Sequence, residues 1–104
     1  MIARIWHGVT QVHRADEYFD YLKKTGLSDY KATQGNRGVY LLRRIEGDQA
    51  HFLTLTFWDS EQAIRAFAGD EIEKARYYPE DARFLLEMEP RVKHYDVVSE
   101  PQND

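Results

Sequence analysis

Apolar positions along the chain change period several times, and each change marks an element. Ile2 to Val9 mixes β-branched and aromatic residues and predicts a first strand. From Ala15 to Thr25 the spacing becomes helical. Ala15, Tyr18, Phe19 and Leu22 share one face, Asp16, Asp20, Lys23 and Lys24 lie elsewhere, and Gly26 is the expected stop. Leu27 to Arg37 is polar and reads as a connection, with Gly35-Asn36 as a turn signal. Val39 to Ile45 predicts a second strand, Glu46 to Gln49 a hairpin loop, and Ala50 to Phe57 a third strand.

After the third strand the pattern turns over at once. Trp58 is followed by Asp59 and Ser60, both N-cap candidates, and Gln62 stands three residues after Asp59, the capping-box spacing. Ala63, Ile64, Phe67 and Ala68 then recur at helical intervals. This predicts a helix from Ser60 to Ala68 that continues, through a kink near Gly69-Asp70, to Tyr77. Pro79 interrupts it, Asp81 to Glu87 reads as a short helix capped by Asp81, and Pro90 precedes a final strand, Val92 to Val98. The order βαββαβ predicts an α+β, ferredoxin-like fold: a four-stranded antiparallel sheet with two main helices on one face. Residues 1–98 read as one domain and 99–104 as a polar tail that frays.

The strands alternate poorly. Ala3, Ile5, His7 and Val9 oppose Ile2, Arg4 and Trp6; His51, Leu53, Leu55 and Phe57 oppose Phe52, Thr54, Thr56 and Trp58. Both faces carry bulky groups, and two helices cover only one. A second copy of the same sheet is the simplest cover for the other. The expectation is a homodimer with sheets face to face, Trp6 toward the partner and His7 toward the helices.

Composition narrows the partners. A chain of 104 residues buries roughly 60–70% of its unfolded surface, enough for one core. A net charge of −4 with no basic block argues against nucleic acid. There is no Cys, which excludes disulfides, thiolate catalysis and Cys-bound metal and fits a reducing compartment. The first residues are too polar for a signal peptide, and no apolar run approaches the roughly 20 residues of a membrane helix. The expected location is cytoplasmic, with no membrane partner. Aromatics make up 13%, which supplies walls for cores, pockets and interfaces alike.

These features resemble the antibiotic biosynthesis monooxygenase family, of the dimeric α+β barrel superfamily. The resemblance covers nearly the whole chain. It rests on the element order, on Trp58-Asp59-Ser60 leading into a helix, on the stretch from Phe67-Ala68-Gly69-Asp70 to Ala75, and on the last strand around His94-Tyr95. It implies a dimer of ferredoxin-like units, each with a pocket between sheet and helices. Some relatives oxidise polycyclic aromatic compounds with molecular oxygen and neither metal nor flavin; others bind and degrade heme. The family tryptophan after the third strand matches Trp58, and the active-site asparagine of the first strand corresponds to His7. The iron-ligating histidine of the heme branch falls at Arg76, which cannot ligate iron.

The site expected from the sequence therefore has His7 as the catalytic base, and Trp58, Tyr77, Tyr78 and His94 around a small apolar or aromatic molecule. His13 and His51 read as solvated, and the acids Glu71, Glu73, Glu80 and Asp81 as surface. The histidines show no metal-ligand spacing and no nucleotide-binding glycine pattern occurs, so no metal and no cofactor are expected. Three readings stay open: an oxygenase-like enzyme, a non-catalytic dimeric binding protein, and a heme-handling relative.

Overall fold

The computed structural model describes residues 1–101, so the last three positions of the expected tail lie outside it. The chain runs β1 (Ile2–Gln11), a 3-10 turn (Val12–Arg14), α1 (Ala15–Lys24), α2 (Gly26–Ala32), β2 (Asn36–Glu46), β3 (Gln49–Trp58), α3 (Glu61–Ala68), α4 (Asp81–Phe84), β4 (Leu85–Glu87) and β5 (Lys93–Asp96). All pairings are antiparallel, in the order β2-β3-β1-β4, with β5 also on β1. The fold is α+β and ferredoxin-like, as expected, but the sheet has five strands. Two short ones share an edge: β5 pairs with Ile2 to Ile5, and β4 with Val9 and Thr10. Between them Trp6, His7 and Gly8 face a gap.

Three helical expectations are corrected. Gly26 opens a helix rather than merely ending one, because Thr25 (φ −116°, ψ −94°) breaks the path and the chain restarts. Leu27 and Tyr30, three residues apart, give α2 its inner edge, and Tyr30 is buried. The helix after β3 does not continue to Tyr77. Ser60, not Asp59, caps it, its Oγ accepting the Ala63 N–H at 3.2 Å. Gly69 ends it at φ +91°, a conformation that only glycine adopts at little cost. Residues 69–80 are thus an irregular strap. The short helix is Asp81–Phe84, the segment Leu85–Glu87 is a strand, and the final strand is only Lys93–Asp96.

Register fixes the faces of the sheet. Arg4, Trp6, Gly8 and Thr10 stand opposite Thr56, Thr54, Phe52 and Ala50, and this set is buried beneath the helices. Ala3, Ile5, His7 and Val9 stand opposite Phe57, Leu55, Leu53 and His51 on the other side. The expected assignment is inverted: Trp6 faces the helices and His7 faces away. Gly8 is the physical reason. Its missing side chain leaves room for the Trp6 ring, with which a methyl group there would collide. The indole lies flat over glycine, inside the core with Tyr18, Leu22 and Phe52. A second core cluster joins Trp58, Tyr30, Ile64 and Phe67. The opposite face carries Tyr40, Leu42 and Tyr95 well exposed, beside half-buried Ile5, Leu53, Leu55 and Phe57.

Candidate functional site

A cavity lies between the helices and the inner face of the sheet, with about 20 Å³ of space for a water-sized centre. That is room for about one water molecule. Trp6, Tyr18, Leu22, Tyr30 and Phe67 form apolar walls; Arg4, Thr54 and Asp81 contribute polar groups; Arg76 and Tyr78 complete the lining. α1 and α2 deliver Tyr18 and Tyr30, β1 and β3 deliver Arg4, Trp6 and Thr54, and the strap crosses above.

Arg4 is 2% exposed. Its Nη1 donates to the Ile72 carbonyl and approaches His94 Nε2 at 3.2 Å, and its Nη2 donates to the Lys74 carbonyl at 3.3 Å. Burial pulls its guanidinium below the ordinary value. His94 is likewise held low, first by burial and then by the Arg4 cation, so its neutral ring accepts from Arg4. Asp81 is the one carboxylate in the cavity lining among the described residues. Its oxygens accept from the Tyr18 hydroxyl at 2.8 Å and the Tyr78 N–H at 2.6 Å. Burial nevertheless raises it above the usual carboxylate value, and raises Tyr18 and Tyr30 as well. At the rim, Tyr78 donates to Asp29 at 2.6 Å, and Arg76 pairs with the same carboxylate at 3.2 Å. The Arg76 guanidinium lies over the Phe67 and Tyr78 rings at 4.9 and 5.1 Å.

The residues expected from the sequence do not converge here. Tyr78 lines the cavity. His94 stands behind it, bracing Arg4. Tyr77 accepts from the Trp6 indole at 3.4 Å and donates to the Glu89 carbonyl, behind the cavity wall. Trp58 is fully buried in the second cluster, its indole donating to Thr56 at 2.8 Å. It is core packing, not a pocket wall. His7 is on the opposite face, where Nδ1 meets the Glu89 carboxylate and Nε2 meets His51 Nδ1 at 3.0 Å. His51 Nε2 lies 3.4 Å from Glu46, so the histidine expected to be solvated belongs to a Glu–His–His–Glu chain. Asp81, expected at the surface, is buried. Sequence reading missed Arg4 and Asp81; Arg4 shares its alternation with Trp6, so the inverted face assignment carried Arg4 to the wrong side as well.

Comparison with protein-family models and with curated proteins finds no match. Solved structures of the same fold do match. The MhuD heme degrader of Mycobacterium tuberculosis, with two hemes in its active site, superposes with a TM-score of 0.64 at 18% identity over 98% of this chain and 100% of that one. A MhuD variant with two manganese protoporphyrin IX molecules per active site gives 0.62 at 18% over 99% and 100%. A Bacillus cereus protein described as a candidate antibiotic biosynthesis monooxygenase gives 0.65 at 12% over 98% and 97%. The chain has the fold of the antibiotic biosynthesis monooxygenase proteins along essentially its whole length.

Proposed function

We propose that this chain is a small-molecule enzyme resembling the cofactor-independent monooxygenases, acting on an aromatic or polyketide-like substrate between its helices and its sheet. The observation that carries this reading is the cavity itself. Its lining sets aromatic walls around a few fixed polar groups, the usual make-up of a small-molecule site, and the space between them, now that of one water molecule, grows to that of a ring only as the strap lifts. In such a reaction a substrate methylene becomes a carbonyl. Molecular oxygen gives one atom to the carbonyl and the other to water, and the substrate supplies all the electrons. The first step is loss of a substrate proton. Asp81, with its raised affinity for protons, is the base, and Arg4 steadies the resulting enolate or phenolate. Tyr78 and Arg76 must swing aside for entry.

The working unit in this reading is a homodimer formed through the open face, where Tyr40, Leu42 and Tyr95 would otherwise stay in water. Heme fits the cavity poorly. No histidine lines it among the described residues, and the family resemblance puts the iron-ligating position at Arg76, which cannot ligate iron. Oxygen uptake with an anthrone, whose ring methylene becomes a quinone carbonyl, tests the proposal. Uptake by the wild type that Asp81→Asn loses supports it. Binding without uptake leaves a non-catalytic binding protein, and a Soret band on mixing with hemin would revive heme.

A further inference from the structure

Arg4 is poorly matched to the closed cavity it lines. A guanidinium stays charged, and a buried charge is unfavourable unless it is paired. Among the described residues Arg4 forms no ion pair: two carbonyls and the His94 ring accept from it, and the Tyr30 hydroxyl and the Phe67 ring, 5.8 Å from its guanidinium carbon, lie beside it. Its buried Nε–H has no acceptor at all. Arg76 at the rim is the contrast, since it is half in solvent and still has Asp29 as partner. The inner cation has hydrogen bonds but no ion pair, and the outer one has both.

We propose that the cavity takes an aromatic ligand bearing one anionic oxygen group, a carboxylate or a phenolate, and that Arg4 is its counter-ion. The inference rests on the reading of the cavity as a small-molecule site and names the substrate class. Trp6, Tyr30 and Phe67 supply the faces against which a ring packs. The Tyr30 and Thr54 hydroxyls bond each other at 3.3 Å on the same lining, which leaves one O–H free to donate to an oxygen of the ligand. The cavity as it stands has room for about one water molecule, so a ring enters only as the strap lifts, and the ligand competes with the strap for Arg4. Two of the Arg4 donors now hold the Ile72 and Lys74 carbonyls, so an arriving anion takes over hydrogen bonds that keep residues 69–80 down. A neutral ring cannot make that exchange.

Calorimetric titration of the wild type with 1-naphthoate and with 1-naphthamide, its neutral near-isostere, tests this. The expected result is binding of the acid at least about tenfold tighter than the amide, the scale of a charge-assisted hydrogen bond. In Arg4→Met the ratio should fall close to one, and Arg4→Lys should keep part of it. If Arg4→Met does not fold, the wild-type ratio and the Arg4→Lys titration still decide. Equal affinities for acid and amide overturn the anion assignment and leave the small-molecule site standing. So does an acid preference that survives in a folded Arg4→Met. If neither compound binds at millimolar concentration, the reading of the cavity falls, and this inference with it.

Discussion

The two faces of the sheet are built from the same strands and solve opposite problems. On the inner face Arg4 has no ion pair among the described residues and is covered by aromatic rings and the strap. The outer face links two imidazoles in a chain between two carboxylates and leaves its aromatic and aliphatic groups in water. One side covers a cation that has no ion pair, the other leaves apolar groups open to solvent. The difference suggests a division of labour: a ligand completes the first, and a protein surface completes the second.

The comparison breaks most forcefully at Trp6. Trp6→Ala should lower unfolding stability by about 3–5 kcal/mol, the range for removing a buried aromatic ring. Chemical denaturation measures it. Light scattering should show the association state of the folded protein unchanged, since Trp6 is on the inner face; a variant that stays stable but dissociates would reverse the face assignment. Gly8→Ala should behave alike at about 1–3 kcal/mol, by forcing the indole from its bed.

On the outer face the expected change is in mass rather than stability. Leu42→Asp should weaken self-association at least about tenfold, or about 1.4 kcal/mol. Unfolding of the separated chain should move by no more than about 0.5 kcal/mol, as at an exposed position. A sedimentation profile identical to the wild type would show that copies do not meet there.

Smaller effects separate the two sets of histidines. His94 in the folded chain is held below its ordinary value of 6.5, so the unfolded chain binds its proton first as pH falls. Its contribution is fully present above pH 6.5 and is lost as pH drops through the lower folded value. His94→Gln, a neutral acceptor for Arg4, should flatten the stability profile across that window; an unchanged slope would assign the acid sensitivity elsewhere. His51→Ala should be the mildest change, within about 0.5–1.5 kcal/mol, because its bonds are partly solvated. A larger loss by thermal melting would mean that the chain of imidazoles holds the sheet together.

The strands, the hairpin and the ferredoxin-like order were legible because each rests on local period and turn chemistry. Which face goes inside was not. In β1 the set Ala3, Ile5, Val9 is as apolar as the set around Trp6, and a slip of one residue reverses every side chain. The deciding contact, the Trp6 ring over Gly8, lies in three dimensions. α2 was hidden because Gly26 serves equally as an end and as a beginning. Arg4 escaped notice because an arginine in a strand normally points to water, and Asp81 because an acid at the head of a short helix reads as a cap.

The split edge of β1 has one more consequence. Glu89 stands beside that gap and serves both sides. Its carbonyl holds the Tyr77 hydroxyl, which in turn meets Trp6, while its carboxylate holds His7. A single residue therefore spans the sheet at its open edge, tied by its carbonyl to the strap and by its carboxylate to the imidazoles of the outer face, a position that an unbroken edge strand would have occupied with ladder hydrogen bonds.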